Sequence, residues 1–159
     1  MNGAKDMMPL SPWKLALAAF AGGLLGSAAR GSCEWLVALA GAPGWTARVV
    51  VNVVGAFAIG MLFARLCDHD DRGMPLGVPH RNRMREHLWG AGFMGGFTTV
   101  SGFAWDVAWA MQHGEHARVA VLLAFDGLVG IAAAAAGYAV ALRARMRHEA
   151  AVRGETPAP

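Results

Sequence analysis

The chain has 159 residues, of which 55% are hydrophobic and 16% charged, and its formal net charge is +3. That length suits one domain, and the low charge argues against an ordinary soluble globule, where about one quarter of residues are charged. The apolar residues fall in long blocks, and blocks of about 20 read as transmembrane helices. Four are predicted, over 13–39, 45–66, 88–111 and 117–142. They leave an N-tail at 1–12, a long loop at 67–87 and a basic C-tail at 143–159, around a transmembrane domain at 13–142.

The first block follows Lys14 and is rich in small residues, features shared with a secretory leader. It is long for a leader, and three more spans follow it, so it reads as a helix. It holds Gly22, Gly23 and Gly26, then Arg30, Cys33 and Glu34. The second span carries Arg48 and Asn52, followed by Gly55, Ala56 and Gly60. Small residues three and four apart let helices approach closely in lipid. Alternating spans put Cys33 and Cys67 on opposite sides of the membrane, which argues against a disulfide. The loop opens with Asp68, His69, Asp70 and Asp71, better read as a solvated charge run than as a metal site.

The third span contains "GFMGGFTTVSGF", residues 92–103, with Asp106 two turns further on. Glycines, threonines and a serine are weak helix material at mid-membrane depth. Non-helical backbone is tolerated there only where protein or an ion satisfies it. A break over Gly95, Gly96, Phe97 and Thr98 frees carbonyl oxygens suited to a hard cation. It also makes a half-helix N-terminus that favours an anion. The fourth span carries Asp126 about ten residues in, then Gly127, Gly130 and Gly137. Ionisable groups at such depth point to function. All six histidines lie in loops, tails or span edges, which argues against an intramembrane histidine relay.

If the spans alternate, eleven of the 14 Lys and Arg share a side with both tails. The positive-inside rule then places both tails in the cytoplasm. The basic segments lack the aromatic interleaving of a nucleic-acid binder, and anionic lipid explains them. Four helices make a thin bundle with little interior, so a dimer is expected.

Three stretches together resemble the CrcB/Fluc fluoride channel family. Residues 92–103 match its third-helix signature G-F-x-G-G-[FL]-T-T-F-S-T-F. "GGLLGSAAR", residues 22–30, is similar to its first-helix G-G-x-x-G-A-x-x-R, and "VNVVGAFAIG", residues 51–60, to V-N-x-x-G-[SC]-F-x-x-G in the second helix. Order and spacing agree over 15–142. The resemblance implies an all-α membrane protein, an antiparallel dimer with a broken third helix, in a bacterial inner membrane. It implies passive fluoride export and no enzymatic activity. It implies a structural sodium ion at the dimer centre, matched here to Gly95 and Thr98. It implies a fluoride pathway that includes Asn52, Phe103, Arg30, Ser101 and Thr99.

The chain departs from the pattern at Val100, Gly102 and Arg48, and at Asp126, which aligns with a pore serine. The departures open a second reading, a non-conducting partner in a heterodimer with an oppositely oriented paralogue. A reading from another class is a small proton-coupled multidrug transporter, which wants a membrane-centred carboxylate in the first helix. Glu34 lies too near that span's end to supply it.

Overall fold

A computed structural model describes residues 11–70 and 74–153. Five helices carry the fold. The first, α1, is Pro12–Leu39, and α2 is Gly44–Leu66. A short antiparallel hairpin follows, β1 at Asp68–His69 and β2 at Pro75–Gly77. Helix α3 covers 83–97, and its middle, Glu86–Met94, is a π-helix. Helix α4 is Val100–Gln112. Helix α5 covers 116–153, with a second π-helical segment at Leu123–Val129.

Helices α3 and α4 are the two halves of the third predicted span. The extended residues between them are Thr98 (φ −82°, ψ 161°) and Thr99 (φ −148°, ψ 106°). Gly95–Phe97 is still helical, so the break falls at the C-terminal edge of the predicted Gly95–Thr98 stretch. Thr99 starts α4 by accepting the Gly102 N–H on its hydroxyl at 3.0 Å, the usual service of a threonine N-cap. The fourth helix runs past the predicted end at 142 and takes in most of the expected tail. Lys5, Asp71 and Arg72, and residues 154–159, lie outside the described residues.

Two helices, Gly44–Leu66 and His116–Val152, are long and apolar enough to cross a bilayer, with mean hydropathies of 2.1 and 2.2. At 28 residues α1 spans about 42 Å, but Lys14, Arg30, Glu34 and its small residues dilute it.

Small residues set the packing. On α2 a Cβ added at Gly60 would run into the Ala134 carbonyl of α5, and one added at Gly137 of α5 would meet the Phe57 carbonyl of α2. The first and third helices interlock in the same way through Gly22, Gly26 and Gly96. Two close helix pairs, α1 with α3 and α2 with α5, therefore form the bundle. The buried apolar residues are mostly small or medium, such as Ala47, Val51, Ala64 and Leu122. Large side chains such as Phe20, Leu25, Leu128 and Ile131 face outward. Such broad apolar exposure fits lipid or a partner rather than water.

The hairpin is tied to the far end of α5. Arg145 donates from its NH1 to the Cys67 carbonyl and to His69 Nδ1, each at 3.1 Å. Because His69 Nδ1 accepts, its proton sits on Nε2, 3.0 Å from the Tyr138 hydroxyl. Asp68 pairs with Arg81, and Asp70 accepts the Met74 N–H at 2.7 Å. Asp68, His69 and Asp70 thus have protein partners, Asp71 lies outside the described residues, and no three-residue metal-ligand cluster occurs among the described residues. Cys33 and Cys67 are both free thiols.

Candidate functional site

The break in the third span is held by one side chain of α2. Asn52 Oδ1 accepts the Thr99 N–H at 2.8 Å, which fixes the orientation of the amide. Its Nδ2 faces the Thr99 carbonyl at 3.3 Å and Asp126 Oδ2 at 3.1 Å. The side chain therefore pairs with both backbone groups of Thr99, as a neighbouring peptide would. Residues far apart in the sequence meet here because α2 packs on α5 and the broken span lies against both.

These groups line a cavity of about 570 Å³, with Thr98, Val100, Phe103 and Met94 in its wall. Four of the expected pathway residues, Asn52, Thr99, Phe103 and Asp126, are thus brought together. Asp126 Oδ1 is buried with no hydrogen-bond partner among the described residues. Two expected pathway residues are absent from the lining. Ser101 lies beside it, 3.2 Å from the Thr99 hydroxyl. Arg30 donates from Nε to the Gly96 carbonyl at 3.2 Å and faces Glu34 at 3.8 Å, bracing the end of α3 from the other side. Val100 lines the cavity rim, and 82% of its surface is exposed.

The carbonyls at the break have lost their helical donors. In an α-helix the Gly95 carbonyl would accept from Thr99 N–H, and the Thr98 carbonyl from Gly102 N–H. The first donor is diverted to Asn52 Oδ1 and the second to the Thr99 hydroxyl. Thr98's own hydroxyl is turned back onto the Met94 carbonyl at 2.8 Å. What the break offers a cation at Gly95 and Thr98 is therefore backbone oxygen, not the threonine side chain. Gly95 has an ordinary helical φ of −63°, and a Cβ added there would meet nothing within 4 Å.

One constellation went unforeseen. Asp106 is 2% exposed and takes a bidentate pair from Arg48, Nε to Oδ2 and NH2 to Oδ1, both at 2.5 Å. Arg118 approaches the same carboxylate at 3.7 Å. Its guanidinium lies 4.8 Å from the Trp109 ring centre and 5.3 Å from that of Trp45. Arg48 sits in space that a side chain at residue 102 would need, since a Cβ on Gly102 would come 2.8 Å from Arg48 Cδ. Two departures from the expected pattern, Arg48 and Gly102, are therefore one steric unit. The available signal was the appearance of an unusual arginine and an unusual glycine together.

Comparison with known proteins places the chain in a family. Residues 17–138 match the family model described as CrcB-like protein, Camphor Resistance (CrcB). The chain is similar to a fluoride-specific ion channel FluC of Caulobacter vibrioides, 35% identical over 137 residues, covering 80% of this chain and 94% of that one. A FluC of Rhodospirillum centenum is 36% identical over 132 residues, again covering 80% and 94%. A protein of Mycobacterium bovis named fluoride-specific ion channel FluC 1 is 30% identical over 141 residues, covering 88% and 99%.

Proposed function

The chain belongs to the CrcB family, and from that premise we propose that it is a subunit of a membrane channel through which fluoride leaves the cell passively. The observation that carries this reading is the shared cavity of Asn52, Thr99, Phe103 and Asp126 at the broken span. An anion shedding water needs donors, and the Asn52 amide is the donor at that wall. Aromatic edges carry partial positive charge, so Phe103 can touch an anion without a formal cation. Hydrogen fluoride is neutral and crosses bilayers, and it ionises in a near-neutral cytoplasm. A selective pore then lets the membrane potential drive the anion out.

The amide is not free in the resting arrangement. Both Asn52 hydrogens face acceptors, one of them Asp126. Fluoride must therefore compete with Asp126 for the same donor, and an ionised Asp126 also repels it. Protonation of Asp126 would remove the repulsion and supply a second donor at Oδ1.

Sodium fits the break as a resident structural ion. Gly95 and Thr98 would hold it through the two carbonyls whose donors are diverted, and the ion would supply a fixed positive charge that satisfies them in lipid. Gly95 opens onto the molecular surface, so this site would be completed by a second subunit packed there. An antiparallel dimer is part of the same proposal. Its second subunit is this chain or an oppositely oriented paralogue.

The test is fluoride efflux from liposomes holding the purified chain, read with a fluoride electrode. Rapid fluoride release with chloride retained is the expected result. Failure to release fluoride alone, with release on adding a paralogue, would favour the partner-subunit reading. Asp126 set against Asn52 is the observation that keeps that alternative in play.

A further inference from the structure

We propose that Arg48 and Arg118 form an anion-binding station one helical turn beyond the Asn52–Phe103 level, with Gly102 giving Arg48 its room and Asp106 fixing both guanidiniums. The proposal rests on the channel reading above, which assigns no role to these residues.

Position comes first. Arg48 precedes Asn52 by four residues on α2, and Asp106 follows Phe103 by three on α4, so each lies on the same helix face as its pathway neighbour. Arg118 enters from the first turn of α5. The same added Cβ on Gly102 that would meet Arg48 Cδ would also lie 2.9 Å from Thr99 Cγ2, so the arginine stem adjoins the cavity wall. The station therefore continues the cavity toward the end of the bundle where α2 begins.

Charge and donors come second. The cluster holds two half-buried guanidiniums and one buried carboxylate. The other acid, Glu115, pairs with Arg118 at 3.1 Å, but it is 40% exposed and faces water. Arg48 is committed to Asp106 through Nε and NH2. Arg118 is not fully committed, because its Nε is buried and donates to nothing among the described residues. A buried donor without an acceptor calls for a water or an anion. Two indoles lie beside the guanidinium, with Trp109 the nearer. A small anion, fluoride within this channel, meets that demand.

Packing alone would not need this chemistry. Uncharged residues at 48, 102 and 106 would fill the same space with no buried ion pair. The arginine brings a desolvation cost that Asp106 offsets, and it leaves a positive field next to the route.

The tryptophans provide a readout independent of transport. Fluoride is titrated into the detergent-solubilised full chain while tryptophan emission is followed, and efflux from liposomes is measured over a range of fluoride concentrations. A saturable change in emission is expected in the wild type, reduced by Trp109→Phe and abolished by Arg118→Gln. Arg48→Gln should raise the half-saturating fluoride concentration about fivefold in both assays, as loss of one nearby charge predicts. Arg48→Lys should restore it to within about twofold. The double variant Arg48→Gln with Asp106→Asn leaves no unpaired buried carboxylate, so it should fold normally and bind as weakly as Arg48→Gln, which separates charge from packing. A flat titration in the wild type, with folding intact, overturns the station even if the chain conducts. A saturable titration in a chain that passes no fluoride, alone or with an oppositely oriented paralogue, sinks the channel reading and leaves the station standing.

Discussion

Asn52 carries two roles in one amide, and they can be separated. Its Oδ1 and one hydrogen hold Thr99, while its other hydrogen faces Asp126. Asn52→Asp should lose both donor contacts and set a second carboxylate against Asp126. Loss of one hydrogen bond to a charged group is worth about 1.5–3 kcal/mol, so fluoride flux should fall roughly tenfold or more, measured by efflux. Asp126→Ser acts on the other arm alone. It should leave the Thr99 contacts intact and raise flux, and a fall in flux would mean that Asp126 serves conduction rather than hindering it. The proposed cation site makes a second residue-level prediction. Thr98→Ser keeps the backbone oxygens and the hydroxyl bond to Met94, so it should assemble normally. The Cβ of Gly95→Val would meet nothing within 4 Å in the subunit. The variant should leave helicity unchanged in circular dichroism yet abolish dimerisation in crosslinking. In the proposed dimer glycine would serve a partner's approach there, not a turn, since its φ is ordinary.

At the scale of elements, the two close helix pairs do different work. The α2–α5 contact sets Asn52 against Asp126, and Gly60 and Gly137 set its spacing. Gly137→Val should push these helices apart at a cost of about 1–3 kcal/mol. Thermal unfolding in detergent should register the loss, and flux should fall with it because the cavity wall moves. Much of this level was legible in the sequence. The first two spans end within a residue of expectation because long apolar blocks bounded by Pro12 and by Pro43 leave little choice. The broken third span was legible in its glycines and threonines. Its exact extended pair was not, since Thr98 and Thr99 are chosen by Asn52, a long-range partner. The salt-bridged cluster was also hidden, because Arg48, Asp106 and Arg118 lie in three different helices. The hairpin at 68–77 is too short to leave a pattern, and it is held by Arg145 from the expected tail.

For the whole molecule, charge and assembly pull in a common direction. A chain that inserts both ways into a membrane wants balanced ends, whereas this one, if its spans alternate, gathers eleven of its 14 Lys and Arg on the side of both tails. A fixed topology with tails inside is the expected outcome, and an antiparallel dimer would then need an oppositely inserted partner. Reporters fused after Pro159 should signal from the cytoplasm alone. Signal from both sides, with flux from this chain unaided, would mark an ordinary two-way homodimer. Val100 at the cavity rim, without an aromatic edge to offer, suits one half of an unequal pair.

The π-helical run at Glu86–Met94 gives the break a dependence on counting. A π-turn bonds residue i to i+5, so it absorbs a surplus residue without ending the helix. Everything after it is rotated relative to a plain α-helix by about 100° for each residue absorbed. The compass direction in which Thr98 and Thr99 emerge is therefore stored as a residue count upstream. Deleting one residue such as Ala91 removes the surplus, so the run can tighten to a plain α-helix and the threonines keep their phase with Asn52. Adding a residue to one of the α-helical stretches, which hold no such reserve, would turn the threonines by about 100°, and no substitution at the site itself could mend that.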